Sequence, residues 1–194
     1  MQKHIAIFLG HPDSESFCGS LARIYARAAE KSGAWVRYTE LGALRFDPVL
    51  HKGYKGFQPF EKDLKIAQRD ISWADHLVFV YPLWWGSMPA LMKGFIDRVF
   101  HPGFGFQFDD ERTYFWHRLL AGRSARLIIT MDGPPAIISL LYQSPGIQML
   151  KGMTLEFCGI SPVRVTQFGS VKRATRARRL LWKMEVEDLG LAQR

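Results

Sequence analysis

Two adjacent tryptophans, Trp84 and Trp85, follow an apolar run, Leu77 to Tyr81, that stops at Pro82. Gly86, Ser87 and Pro89 come next and open an apolar helical pattern. Two π-faces beside a glycine, where a buried strand hands over to a helix, suit stacking on a flat, electron-poor ring. Backbone N–H groups at a helix start add donors for the polar edge of such a ring. A flavin isoalloxazine has both properties. The competing reading is that the pair fills a core, as aromatic residues commonly do.

Two other segments carry groups of the right kind. Gly10 to Cys18 holds His11, Ser14 and Ser16 ahead of a helical pattern. The unpaired amides at that helix start form an anion site suited to a phosphate, with His11 as an added donor. Ser16 also reads as a plain N-cap, a role compatible with phosphate binding. The loop is neither a Gly-x-Gly-x-x-Gly nor a Walker A sequence. The third segment, Thr130, Met131, Asp132 and Gly133, offers backbone amides to the edge of a flavin that gains negative charge on reduction. Asp132 is an awkward neighbour there unless it points away, and a turn role before Gly133 is the plainer expectation. His51, His76 and His101 show no metal-ligand spacing. Residues 102–108 alternate aromatics with glycine and glutamine and read equally as a hairpin-like cleft lining or an apolar plug. Arg112, Tyr114 and His117 stay unassigned.

The elements that must position these loops alternate along the chain. Strands are expected at 4–9, 35–41, 76–81, 126–130 and 162–168, the first almost continuously apolar, as burial on both faces requires. Helices are expected at 17–32, 60–73, 87–100 and 172–189, with helical material ending near Cys158 and a long loop over 42–59. This βαβ series predicts an α/β fold: a three-layer αβα arrangement around a five-stranded parallel sheet in the order 2-1-3-4-5. Its ligand crevice then lies at the carboxyl ends of the strands. The 194 residues read as a single domain, 1–194, without repeat or linker.

Composition sets further bounds. Hydrophobic residues make up 47% and charged residues 23%, which fits a soluble globular chain. No apolar stretch reaches the roughly 18 residues of a membrane span, and no leading basic and apolar segment suggests a signal peptide. Cys18 and Cys158 have no redox or metal spacing, so a cytoplasmic location is expected. The net charge of +8 raises nucleic acid as a partner. Its densest cluster, Lys172, Arg173, Arg176, Arg178, Arg179 and Lys183, is followed at once by Glu185, Glu187 and Asp188, so a solvated helix face is the simpler explanation and no nucleic-acid partner is expected.

The run from Tyr81 to Phe100, Tyr-Pro-Leu-Trp-Trp-Gly-Ser-Met-Pro-Ala-Leu-Met-Lys-Gly-Phe-Ile-Asp-Arg-Val-Phe, closely resembles the signature of the flavodoxin-like NAD(P)H:quinone oxidoreductases. That family includes the DT-diaphorase type, bacterial modulators of drug activity and ancillary subunits of glutathione-gated potassium efflux systems. His11 to Phe17 resembles its flavin-phosphate loop, and Thr130 to Gly133 its Thr-Thr-Gly-Gly loop. The resemblance implies a homodimeric flavoprotein with its site at the subunit interface, taking a hydride from NADPH or NADH and passing it to a quinone. It implies that Pro82, Leu83, Trp84, Trp85 and Gly86 lie along the isoalloxazine, with His11, Ser16, Phe17 and Cys18 along the phosphates.

This sequence departs from the pattern in two places. DT-diaphorase-type members carry a Tyr and a His after the third loop, where an ungapped match gives Ile138 and Ser144. Tyr142 is nearby but out of register, and is the one catalytic candidate. The glycine pair is reduced to Asp132-Gly133. The expected cofactor is FAD, with FMN close behind, and the expected partner a small quinone-like acceptor. The rival reading is a flavin-binding ancillary subunit that docks on a membrane potassium efflux protein through its basic last helix.

Overall fold

The computed structural model of the protein describes residues 2–109 and 115–194; Arg112 and Tyr114 lie outside them. Strands β1 (His4–Leu9), β2 (Trp35–Glu40), β3 (His76–Pro82), β6 (Ser124–Thr130) and β7 (Val163–Phe168) form a parallel five-stranded sheet in the order β2-β1-β3-β6-β7. Counted among themselves, these strands run 2-1-3-4-5, the flavodoxin-like order. β4 (Phe106–Phe108) and β5 (Trp116–Arg118) pair antiparallel beside it, so the glycine-aromatic segment is a short hairpin arm. Phe106 and Trp116 of this arm both pack on Phe157, at ring-centroid distances of 5.0 and 4.5 Å.

Alternation along the strands divides the core between two faces. On one face Phe8, Leu77, Phe79, Leu127 and Ile129 meet α2 (Lys62–Trp73), α3 (Ala90–Val99) and α5 (Pro145–Leu150). On the other, Ile5, Ile7, Val78, Val80 and Ile128 meet α1 (Phe17–Lys31) and α6 (Arg176–Leu191). The central strand β3 is buried along its whole length, which is why its sequence is a continuous apolar run. α4 (Pro135–Tyr142) is the exception among the helices: none of its residues is buried.

Element boundaries differ from the sequence expectation where caps override periodicity. α2 starts at Lys62 rather than residue 60, after Pro59 and the extended Glu61. α3 starts at Ala90 rather than 87, because Ser87 is used to close a tight turn. α6 starts at Arg176, where the Thr175 side chain accepts the Arg178 N–H as an N-cap; residues 171–173 form a separate 3-10 turn. β6 starts two residues earlier than expected, at Ser124.

The 42–59 segment is a strap clipped onto α3. A Cβ on Gly94 would come within 2.5 Å of the Pro48 carbonyl oxygen, so only glycine lets the strap lie this close. The Arg98 side chain, 2% exposed, donates to the carbonyls of Asp47 and Pro59 and pairs with Glu61 at 2.7 Å. Burial alone would raise the Glu61 carboxyl; hydrogen bonds from the Asp47 and Glu61 amides and from Arg98 outweigh it and hold Glu61 below the usual range.

Candidate active site

Three loops meet at the carboxyl ends of β1, β3 and β6. The Gly10 amide donates to the Val80 carbonyl at 2.8 Å, and the Leu83 amide donates to the Thr130 carbonyl at 2.7 Å, so the strand pairing carries on into the loops. Sequence reasoning placed these three segments together, and the structure does the same.

In the first loop the Asp13 amide donates to His11 Nδ1 at 2.9 Å, and Glu15 N donates to Asp13 Oδ1. With Nδ1 accepting, the neutral His11 carries its proton on Nε2, which leaves a donor for a ligand oxygen. Ser16 caps α1 by accepting the Gly19 N–H at 3.2 Å. Gly19 fits because a Cβ there would sit 1.8 Å from the Ser14 carbonyl oxygen, which Arg23 Nη1 already holds at 2.7 Å. The Phe17 ring turns toward α6, 6.1 Å from Trp182 and 5.8 Å from the Arg179 guanidinium. It lines an open groove of about 960 Å³ with Arg176, Arg179, Leu180 and Lys183. Cys18 is 2% exposed, and its Sγ hydrogen-bonds Thr130 Oγ1 at 3.1 Å below the loop. Burial pushes the Cys18 thiol up to about 12, so it is a neutral packing group.

The second loop is a four-residue turn. Trp84 N donates to the Ser87 carbonyl and Ser87 N to the Trp84 carbonyl, at 2.8 and 2.9 Å. The two central residues have positive φ, 50° at Trp85 and 74° at Gly86. Gly86 takes that conformation freely, whereas Trp85 pays about 1–2 kcal/mol for it. The strain places an indole fully in solvent: Trp85 is 105% exposed, and Trp84 45% with an edge contact to His11 at 5.4 Å. Neither is core filler. Pro82 is buried at the end of β3 and Leu83 half-buried after it. Behind the turn, Gly146 at the start of α5 packs so tightly that a Cβ would lie 2.1 Å from the Gly86 carbonyl oxygen. Gly146 escaped the sequence reading because a lone glycine after Ser144-Pro145 looks like any turn.

The third loop departs most from expectation. The Met131 amide donates to the Phe168 carbonyl at 2.9 Å and is therefore not open to a ring edge. Thr130 and Met131 are themselves buried. Asp132 points away, accepting the Lys172 amide at 3.0 Å, which removes the awkward negative neighbour. Gly133 lies against Ile138 and Gly169, where side chains would collide. Tyr142, the last residue of α4, is 66% exposed and four residues before Gly146. Ser144 is buried with φ of 51°.

Residues 3–185 match the model of a family described as having a flavodoxin-like fold, Flavodoxin_2. The chain belongs to this flavodoxin-like family. It is 28% identical over 185 residues to the ribosyldihydronicotinamide dehydrogenase [quinone] of Pongo abelii, covering 81% of this chain and 77% of that one. A ribosyldihydronicotinamide dehydrogenase-like protein, traD, of Penicillium crustosum is 28% identical over 155 residues, 66% of this chain; the match spans only 57% of that protein's length. Among solved structures, Smu.1420 from Streptococcus mutans UA159 superposes with a TM-score of 0.83 at 28% identity, covering 97% of this chain and 98% of that chain. An FMN-dependent NADH-azoreductase from Bacillus anthracis str. Ames Ancestor, solved with FMN, shares the fold with a TM-score of 0.71 at 19% identity over 98% of each chain.

Proposed function

We propose that the protein is a flavin-dependent NAD(P)H oxidoreductase that reduces quinone-like acceptors by two electrons, with residues 1–194 as one flavin-binding domain. The observation that carries this reading is the strained turn that exposes Trp84 and Trp85 at the carboxyl end of β3, next to a phosphate-ready helix start. A bound flavin supplies the hydride chemistry, accepting from the nicotinamide and giving to the acceptor in ping-pong order. The chain's part is positioning. Trp84, Trp85 and Gly86 form the wall for the ring, with Pro82 and Leu83 beneath. His11 Nε2–H and the capped start of α1 face its phosphate, with Ser16 fixing that helix end and Cys18 supporting it from below. Of the third loop, Asp132 and Gly133 border the ring edge, while Thr130 and Met131 hold the loop to the sheet. Tyr142 is the exposed hydroxyl nearest in sequence to the Gly146 support.

FAD is favoured over FMN because the groove beside Phe17 continues from the phosphate loop and presents Arg176, Arg179 and Lys183 to a second phosphate. The relatives' nicotinamide and quinone chemistry, and the FMN of the azoreductase, support the flavin assignment by kinship. The homodimer reading is supported by α4: Leu140, Leu141 and Tyr142 are 82%, 64% and 66% exposed, an apolar surface with no cover from the chain's own described residues. A second copy placed there would close the open side of the Trp84–Trp85 turn. Among the described residues no helix is long and apolar enough to cross a membrane. The cytoplasm is the proposed location.

The test is an absorbance spectrum of the purified protein, followed by anaerobic addition of NADPH. Flavin bands that bleach and return with a quinone support the proposal, and chromatography of the released flavin separates FAD from FMN. A colourless protein that neither flavin reconstitutes overturns it. The exposed Arg176 and Arg178 on α6 favour a second reading, an ancillary subunit docked on a membrane efflux protein. Co-purification with such a partner and negligible quinone turnover would support that reading instead.

A further inference from the structure

The opposite end of the sheet holds a group of polar side chains that the proposed activity does not use. Register places His76 beside Ser124, and Arg126 beside Arg164, all on the face covered by α1 and α6. Arg126 Nη1 donates to Thr166 Oγ1 at 2.7 Å, and His76 Nδ1 lies 2.8 Å from Ser124 Oγ. Arg126 is 6% exposed, His76 2% and Tyr25, reaching in from α1, 0%. Each keeps one buried polar atom without a hydrogen-bond partner among the described residues: Arg126 Nε, His76 Nε2 and the Tyr25 hydroxyl.

Three buried polar groups without a protein partner in one neighbourhood are a costly arrangement unless something else satisfies them. The charges point the same way. Arg126 and Arg164 are side by side in register, and Lys3 and the Arg194 side chain add their fields from the edges. The carboxylates that reach this cluster, Glu185 near Arg126 and Asp75 near Lys3, both sit on the exposed surface. Burial keeps the Tyr25 phenol protonated and pushes the His76 imidazole down to about 3, so both are neutral. In the tautomer in which the Ser124 hydroxyl donates to Nδ1, the His76 proton sits on Nε2. All three orphans are then donors, gathered among cations. A water molecule would accept from them but would do nothing for two neighbouring guanidinium groups. An anion with acceptors in several directions does both.

We propose that the amino end of the sheet, beneath α1 and α6, binds a small tetrahedral oxyanion of the phosphate or sulfate kind, held by Arg126, His76 and Tyr25. The site is separate from the flavin site: His76 begins β3 and Pro82 ends it, a strand length of about 20 Å.

The experiment is thermal unfolding of the flavin-saturated protein, with inorganic phosphate or sulfate titrated against chloride at matched ionic strength. Saturating phosphate should raise the midpoint by about 5 °C, following the logic of a ligand that binds only the folded state. Sulfate should act alike and chloride should not. The response should vanish in Arg126→Met and survive in His11→Ala, which alters only the loop at the other end. No rise, or a rise that Arg126→Met retains, overturns the proposal. If Arg126→Met does not fold, Arg164→Gln, on the exposed edge strand, serves instead. It should raise the half-saturating phosphate concentration by about threefold, and an unchanged value is a refutation.

Discussion

The two ends of the sheet handle polar groups in opposite ways. At the carboxyl end the work falls to the backbone: amides at a helix start, a turn with two positive φ angles, and glycines at 19 and 146 that let main chain approach main chain. Its side chains, Trp84 and Trp85 above all, stand in solvent. At the amino end the donors are side chains, drawn from α1, β3 and β6, each with one buried polar atom that finds no partner among the described residues. A site made of backbone is tied to local sequence and spoils when a Cβ is added. A site made of scattered side chains exists only after folding and spoils when a charge is removed.

The largest expected effect strikes the carboxyl end alone. Gly19→Ala would put a Cβ 1.8 Å from the Ser14 oxygen, so the first loop must move by an ångström or more. Flavin affinity should drop by about 100-fold, as misplacements of that size cost elsewhere. Fluorescence titration measures the drop, and the phosphate response at the amino end should be intact; loss of both would erase the distinction between the ends. Trp84→Ala should weaken flavin retention by about 1–3 kcal/mol, the range of aromatic stacking. Unchanged affinity would take Trp84 out of the site.

At the amino end, pH is the lever. Buried His76 is held at about 3, chiefly by desolvation with Lys3, Arg126 and Arg164 adding to it, against about 6.5 in the unfolded chain. Between those values the unfolded chain binds the extra proton, so the stabilising contribution is complete above about pH 6.5 and shrinks as pH falls. Urea midpoints in phosphate-free buffer should lose on the order of 1 kcal/mol per pH unit in that window. His76→Leu should flatten the slope; an equal slope in that variant would assign it to other groups. The smallest effect belongs to Ser16→Ala, which removes the α1 cap and should cost about 1 kcal/mol of stability by urea unfolding.

The contrast between the ends also explains what could be read from the sequence. The strand order and the three loops were legible because apolar runs, turn residues and a helix cap are written in consecutive residues. Trp84 and Trp85 were legible for the same reason. The commitment of the Met131 amide to Phe168 was not, since it depends on β7 pairing with β6 from 37 residues away in sequence. Asp132 turning to Lys172, Cys18 finding Thr130, and Arg126 lying beside Arg164 are likewise products of packing. Gly146 carries no periodic signal, and its need to be glycine appears only when α5 meets the Gly86 carbonyl.

The Arg98 clip has a consequence for how the molecule breathes. One guanidinium holds the Asp47 carbonyl at one end of the strap and the Pro59 carbonyl and Glu61 at the other. Losing it would release the Asp47 and Pro59 carbonyls together, while the Asp47 amide on Glu61 and the Tyr54 hydroxyl on the Asp97 carbonyl still hold the strap, so its two ends are set to loosen in one step. Replacing Arg98 should then speed the exchange of amides beside both anchors together.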